Sequence, residues 1–118
     1  MAQRIVGLIG GTGPESTVDY YKRIITSWRA QNPESYPALL ITSIDVDAMV
    51  PLVRTGQLEK LADLLLVEFE RLRAGGASFA ALTANTPHIV FDDLRRRSPL
   101  PLISILEVTR DEVVRRGL

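Results

Sequence analysis

The sequence contains no cysteine and only one histidine among its 118 residues. The absence of cysteine excludes disulfides, thiolate metal sites and thiol catalysis from this chain. An excess of charge is also missing, because 14 basic residues balance 14 acidic ones. A neutral chain has no overall positive field that would attract nucleic acid or an anionic membrane. We therefore expect neither as a partner.

Long hydrophobic runs are missing as well. No segment reaches the roughly 18 uninterrupted apolar residues of a membrane helix. The amino terminus lacks the charged region, apolar stretch and cleavage site of a signal peptide, so we expect a cytoplasmic protein. Hydrophobic residues nevertheless make up 46% of the chain, which is enough for a core. The length predicts a single domain over residues 1–118.

The chain opens with a short apolar run and a glycine-rich turn. Residues 5–9 are typical of a buried parallel strand. The glycines within residues 10–13 allow positive φ and close backbone approach, and Pro14 suits the first position of a helix. The hydroxyls of Ser16 and Thr17 also fit a helix start. Free N–H groups at such a turn favour an anion. Two interpretations stay open, which are a carboxylate or phosphate pocket and a tight turn without a ligand.

Apolar periodicity predicts strands and helices that alternate along the chain. The predicted strands are residues 5–9, 38–44, 78–83 and 102–105, the predicted helices are 14–31, 57–74, 89–97 and 107–116, and residues 49–56 are predicted to be a loop with a short helical turn. This order predicts an α/β fold with a four-stranded parallel sheet, right-handed crossovers and helices on both faces.

Helical spacing also predicts which side chains face the core. On the first helix these are Val18, Tyr21, Ile24, Ile25 and Trp28. On the second helix they are Leu58, Leu61, Leu64, Leu65, Phe69 and Leu72, with Glu68, Glu70, Arg71 and Arg73 expected to face water.

Polar side chains follow the second and third predicted strands. Asp45 and Asp47 could bind a metal or act as acid and base. No histidine or third acid lies nearby in the sequence, so we interpret them as solvated loop acids and predict no metal site. Asn85 and Thr86 carry donors that could hold a carboxylate. His88 could carry a proton, support the turn by hydrogen bonding, or cap the following helix.

A dinucleotide site is the main rival for the glycine turn. Residues 11–16 lack the third glycine or alanine of that fingerprint. No acidic residue ends the second strand at the spacing of about 20 residues that a ribose contact requires. We therefore predict no nucleotide cofactor. Because carboxyl ends of parallel strands share an edge, we expect the turns at residues 10–13 and 84–88 to form one ligand site.

Two motifs in these turns resemble those of a known enzyme family. The sequence GLIGGTGPESTVDYY at residues 7–21 resembles the opening of the aspartate/glutamate racemase family. Asn85-Thr86-Pro87-His88 resembles the family's Cys-Asn-Thr-x-His motif, and residues 75–77 and Arg54 fit as well. The resemblance covers the whole chain. It implies one half of a two-domain α/β racemase fold, with the site between the domains and no cofactor.

The resemblance also implies an activity and residue roles. Such enzymes racemise aspartate, glutamate or related carboxylates by moving the α-proton between two opposed acid/base residues, usually cysteines. The resemblance implies that Arg54, Asn85 and Thr86 bind a substrate carboxylate and that His88 supports the turn. The residues implied to line the pocket at the glycine turn are Gly11, Thr12 and Gly13.

The chain departs from the family pattern in two ways. Ala84 occupies the position of the first catalytic cysteine or threonine, and Thr83 could serve only if its strand bulges, because it should point to the other strand face. Family members are also about twice as long, so the second domain is expected to be absent. We therefore expect this chain alone to be inactive, and a homodimer could bring two halves together. The alternatives are a non-catalytic module that binds a dicarboxylate or amino acid, and other carboxylate chemistry of the wider superfamily.

Overall fold

Four strands and four helices make up the part of the protein that the structure, a computed structural model, describes: residues 4–11, 13–83, 89–104 and 114–117. In chain order the elements are β1 (Ile5–Gly10), α1 (Pro14–Gln31), β2 (Ala38–Ser43), α2 (Val46–Arg54), α3 (Leu58–Ala74), β3 (Phe79–Leu82), α4 (Phe91–Arg97) and β4 (Leu102–Ile103).

The strands form one parallel sheet in the order β2-β1-β3-β4, which confirms the predicted sheet. The connection through α1 leads from β1 to β2 on one side of β1. The later connections, through α2 and α3 and then through α4, lead to β3 and β4 on the other side of β1. Because crossovers between parallel strands are right-handed, these two directions place α1 on one face of the sheet and the other helices on the opposite face. The prediction of helices on both faces is therefore also confirmed.

The main core lies between the sheet and α3. Four large side chains of α3 have no exposed surface, and they pack with the fully buried strand residues Ile9 and Ala80 and the nearly buried Leu82. The four α3 residues are Leu61, Leu65, Phe69 and Leu72. The apolar periodicity of this helix therefore predicted its buried face correctly, except that Leu58 at its start is 43% exposed.

The predicted core face of α1 is wrong. The side chains of Val18, Tyr21 and Trp28 are 52%, 45% and 43% exposed, and no residue of α1 is buried. Ile24 and Ile25 are half-buried. Among the described elements α1 is the only helix on its face of the sheet. No described helix therefore covers the side of its apolar stripe that does not rest on the strands.

The loop predicted over residues 49–56 is also wrong, because Val46–Arg54 forms helix α2. The carboxylate of Asp45 caps this helix by accepting a hydrogen bond from the Asp47 N–H at 2.9 Å. Pro51 lies inside the helix. Proline is unfavourable in a helix interior because it lacks an N–H and its ring crowds the preceding turn. Its ring is on the exposed side of α2, where it is tolerated.

Glu68 was predicted to face water, and this is wrong because it is only 5% exposed. Arg71 donates a hydrogen bond to Oε2 of Glu68 at 2.7 Å from a side chain that is 66% exposed. A carboxylate withdrawn from water needs such a partner, because an unpaired buried charge is costly. The arginine therefore reaches over the edge of the core to neutralise a carboxylate beneath it.

The remaining differences concern element ends. The predicted strands 78–83 and 102–105 are shorter, at Phe79–Leu82 and Leu102–Ile103, and the predicted helix 89–97 becomes α4 at Phe91–Arg97. Residues 107–113 of the helix predicted over 107–116 lie outside the described residues. None of the described helices is both long enough and apolar enough to cross a membrane.

Candidate active site

The carboxyl ends of β1, β2 and β3 meet at one edge of the sheet. Gly10 pairs with Ser43 of β2, and Ile9 pairs with Leu82 of β3. The chain moves from β1 to β2 and then passes back over β1 to β3, so its direction reverses beside β1. Ligands of open parallel sheets bind outside the carboxyl ends at such a reversal. The glycine turn and the end of β3 flank this point.

Gly10 and Gly11 lie too close to their neighbours for either to carry a side chain. A Cβ on Gly10 would lie 2.5 Å from Cγ2 and 2.6 Å from Oγ1 of Thr17. A Cβ on Gly11 would lie 2.6 Å from both the Ile44 carbonyl oxygen and Ser43 Oγ. Gly11 also has a φ of 89°, which other residues rarely adopt. The turn after β1 is therefore packed against both α1 and the end of β2.

Hydroxyl groups join α1 to the end of β3. The Gly11 N–H donates to Thr17 Oγ1 at 3.1 Å, and Thr17 Oγ1 lies 3.0 Å from Thr83 Oγ1. The Thr83 hydroxyl donates to the Ile9 carbonyl at 3.2 Å. Ser16 Oγ donates to the Thr83 carbonyl at 2.7 Å. Two strands and one helix are thus hydrogen-bonded together at the candidate site.

The start of α1 has fewer free donors than the sequence suggested. Gly13 is the N-cap residue, and its carbonyl accepts the N–H groups of Ser16 at 3.0 Å and Thr17 at 3.3 Å. No side chain caps the helix, because the N-cap residue is a glycine, and the hydroxyls of Ser16 and Thr17 bond to Thr83. With the Gly11 N–H also bonded, three backbone donors of this turn already have partners inside the protein.

Thr83 is 1% exposed and points toward α1. The pairing of β3 with β1 is continuous from Phe79 to Leu82, and the Thr83 N–H continues it by donating to Ile9 at 3.2 Å. The strand therefore reaches Thr83 without a bulge. The Thr83 hydroxyl lies in the protein interior between two hydrogen-bond partners.

Other predicted site residues are further away or outside the described ranges. Arg54 is exposed in the last turn of α2, a helix about 13 Å long that begins after β2. Among the residues that the structure describes, Arg54 has no hydrogen-bond or ion-pair partner. No group of three or more metal-ligand side chains occurs in the described ranges. The predicted site residues outside those ranges are Thr12, Ala84, Asn85, Thr86 and His88.

Ion pairs fasten α4 to α3 just beyond the second predicted turn. Arg97 donates to Asp63 of α3 at 2.8 Å and to Asp93 of its own helix at 3.1 Å. Hydrogen bonds from Arg96 and Arg97 hold the pKa of the Asp93 carboxyl below its usual value. The same arrangement raises the pKa of Arg97, chiefly through its hydrogen bond with Asp63. All of these side chains are substantially exposed, so they orient α4 more than they stabilise the fold.

A cavity of about 650 Å³ lies at the opposite edge of the sheet, where the strands begin. Its walls are almost entirely apolar, and its one charged residue, Arg4, lies over the ring of Phe79 with 5.7 Å between the guanidinium carbon and the ring centre. The lining residues are Arg4, Val6, Ile24, Trp28, Pro37, Ala38, Phe79, Pro101 and Ile103. The cavity is a part of the sheet face beside α1 that no described residue covers. Because it offers almost no polar groups, the candidate site remains at the carboxyl edge.

Sequence reasoning missed the role of Thr17. Its position in the first turn of a helix suggested a contribution to the helix start. The structure places it instead between Gly10, Gly11 and Thr83. The glycine at position 10 was the available signal, because a glycine next to a buried strand end indicates close approach by another group.

A sequence model of the Asp/Glu/Hydantoin racemase family matches residues 9–118. The chain belongs to this family. It is 25% identical over 113 residues to the broad-specificity amino-acid racemase RacX of Bacillus subtilis, covering 92% of this chain and 49% of that protein. The chain therefore spans about half the length of this curated relative.

Solved structures show the same half-length relation. A Yersinia pestis protein assigned as an Asp/Glu racemase is 31% identical with a TM-score of 0.92, over 98% of this chain and 51% of that one. An aspartate racemase homologue from Pyrococcus horikoshii is 34% identical with a TM-score of 0.82, over 98% of this chain and 50% of that one. These likenesses confirm the α/β racemase-like fold expected from the two motifs.

The packing around Gly11 predicts a large effect of Gly11→Ala on stability. Gly56→Ala is the matched control, because Gly56 also has a positive φ, at 69°, but nothing lies within 4 Å of its Cβ position. The control should lose about 1–2 kcal/mol from the positive φ alone. Gly11→Ala should lose about 1–3 kcal/mol more, because its methyl group meets backbone atoms. Urea unfolding measures both, and equal losses would contradict the packing argument.

Proposed function

We propose that this chain supplies half of the active site of a cofactor-independent amino-acid racemase that acts on aspartate, glutamate or a related carboxylate. The observation that carries the proposal is that the two family motifs directly follow two strands that pair with each other. The glycine turn follows β1, and the Asn85-Thr86-Pro87-His88 motif follows β3, the strand that pairs with β1. Family membership and the named racemase relatives support the same reaction class.

In the proposed reaction one group removes the α-proton and a second group returns a proton to the opposite face. Each must lie within hydrogen-bond reach of the substrate carbon's proton. Cysteine suits this task because its thiolate becomes available near neutral pH after modest tuning. This chain has alanine at position 84 and no cysteine. In this proposal the chain therefore binds and orients the substrate, and the two acid/base groups are not among its side chains.

Carboxylate binding is assigned to side-chain donors of the second motif and to Arg54. The amide of Asn85 and the hydroxyl of Thr86 are proposed to hold one substrate carboxylate, with His88 supporting their turn. Arg54 is exposed, and no described residue pairs with it, so its guanidinium is available to a second carboxylate. The pocket wall is assigned to Gly11, Thr12 and Gly13. Since the Gly11 N–H is bonded to Thr17, this glycine contributes shape and not a donor.

We propose as a second candidate a non-catalytic module that binds a dicarboxylate or amino acid. Ala84 favours it, because the chain then needs a binding site and no proton-transfer group. The intact mass of the protein isolated from its source separates the two functions. A mass about twice the 13.1 kDa of this chain supports the racemase, and a mass of 13.1 kDa supports the module.

The carboxylate assignment predicts binding of aspartate, glutamate or sulfate, measured by titration calorimetry. Asn85→Ala should weaken it by about 1–3 kcal/mol, because a charge-assisted hydrogen bond is lost. Asn32→Ala is the matched control, since Asn32 lies beyond the other end of α1 and, among the described residues, its side chain bonds only to the Trp28 carbonyl. A folded protein that binds none of the three at millimolar concentration would refute the anion site.

Because the acid/base groups are missing, we predict no detectable α-proton exchange for either enantiomer of aspartate or glutamate. The measurement is NMR of each enantiomer incubated with the protein in deuterated water. Ala84→Cys should not restore exchange in a monomer, because the group on the opposite face is still absent. In a two-fold dimer the same change would allow weak exchange. If the unmodified chain does exchange the proton and His88→Asn abolishes this, the prediction is wrong and His88 is the base.

The apolar side chains exposed on α1, which are Val18, Tyr21 and Trp28, support self-association of this chain. We propose a homodimer that buries them. Exposed apolar patches of this kind commonly form interfaces, and two-fold pairing is the commonest arrangement. Tyr21→Glu should shift the protein toward monomer in sedimentation experiments. Tyr36→Glu is the control, because Tyr36 is 65% exposed and lies outside the stripe. The unmodified chain sedimenting as a monomer at high concentration would exclude the homodimer.

A further inference from the structure

Four groups at the carboxyl edge form a line of hydrogen bonds through the interior. The Gly11 N–H lies at one end and the Ile9 carbonyl at the other, with the hydroxyls of Thr17 and Thr83 between them. The successive donor–acceptor distances are 3.1, 3.0 and 3.2 Å. The line starts in the glycine turn, crosses to α1, passes to the end of β3 and returns to β1.

The chemistry of the two end groups fixes the direction of every bond in this line. A backbone N–H can only donate, so Thr17 Oγ1 accepts from Gly11. A carbonyl can only accept, so the Thr83 hydroxyl gives its single proton to Ile9. The remaining bond must then run from the Thr17 hydroxyl to Thr83 Oγ1, because the proton of Thr83 is already used. Bonds aligned head to tail in this way strengthen one another.

This arrangement leaves Thr83 unsuited to proton transfer. Its proton is committed to Ile9, one of its lone pairs is occupied by Thr17, and the side chain is 1% exposed. Ionising a hydroxyl in such a place would bury a charge without a cationic partner, which is strongly unfavourable. The nearest hydroxyl to the position of the missing cysteine is therefore not a substitute for it.

We propose that Thr83 is a positioning residue, which together with Thr17 sets the carboxyl ends of β1 and β3 at a fixed spacing beside the candidate site. Its main chain is held as well, because Ser16 Oγ donates to its carbonyl at 2.7 Å. Thr83 directly precedes Ala84, the position at which the resemblance to the family implies the first acid/base residue. The positioning role in ligand binding rests on the proposed function, whereas the hydroxyl line itself does not.

The neighbouring strand offers a matched control. Thr42 of β2 pairs with Ile9 from the other side, and its hydroxyl is the one buried side-chain polar atom without a hydrogen-bond partner in the described part of the chain. Replacing it with valine keeps the shape and removes no hydrogen bond. Thr42→Val and Thr83→Val are thus the same change at the carboxyl ends of two strands that flank β1, and only the second breaks the line.

The first test measures hydrogen exchange of the Gly11 amide by NMR, as a ratio to the amides of α3 so that general loss of stability cancels. Thr83→Val removes both hydrogen bonds of the Thr83 hydroxyl and leaves Thr17 without its acceptor, so it should raise this ratio about five- to tenfold. Thr17→Val removes the direct acceptor and should raise it at least as much. Thr83→Ser, which keeps the hydroxyl, and Thr42→Val should leave it unchanged. An unchanged ratio in Thr83→Val, or an equal rise in Thr42→Val, would overturn the proposal.

The second test measures the affinity of the same variants for aspartate and sulfate by calorimetry. Thr83→Val should weaken binding about five- to tenfold, with Thr83→Ser and Thr42→Val close to the unmodified chain. Equal affinity in Thr83→Val and the unmodified chain would exclude a positioning role. If the unmodified chain binds neither ligand, the proposed function fails, and the exchange ratio still decides whether the hydroxyl line holds the two strand ends.

Discussion

The close packing of three strand ends around Gly10 and Gly11 is the constraint on which the candidate site depends. The absence of a side chain at Gly10 lets Thr17 of α1 lie against β1, and its absence at Gly11 lets the end of β2 do the same. Thr17 can reach Thr83 only from that position. The missing Cβ at Gly10 therefore lets α1 and β3 come within hydrogen-bonding distance of each other. The missing Cβ at Gly11 lets the end of β2 pack against the same turn.

The polar groups at this edge are used mainly to hold the protein together. The Gly11 N–H, the Gly13 carbonyl, the hydroxyls of Ser16 and Thr17 and the polar groups of Thr83 all have partners within this edge. These hydrogen bonds hold the described part of the edge in one arrangement. Rigidity of this kind suits a reaction in which a proton must leave and return along defined directions. It also separates two roles that the sequence left together, because the residues that shape the site are not those proposed to bind the substrate.

The two faces of the sheet differ in how completely they are covered. In the described part of the chain, helices α2, α3 and α4 bury one face of the sheet. On the other face α1 is the one described helix, and its Tyr21 and Trp28 side chains remain exposed. The apolar cavity lies beside α1 on this second face. Relatives that share the fold are about twice as long as this chain.

The sequence by itself determined the alternation of strands and helices, the parallel sheet and the buried face of α3, because these depend on local periodicity. It also determined the family, because the two motifs have glycine, proline and asparagine at set positions. It did not determine the exposure of α1 or the burial of Glu68, since amphipathic spacing shows which side of a helix is apolar but not whether another element covers it. It also misjudged α2, which forms despite Pro51 with a cap from Asp45 and with Met49 buried in the core. The partners of Thr83 were decided only by tertiary structure, because residues 66 and 74 positions away meet it when β1, α1 and β3 come together.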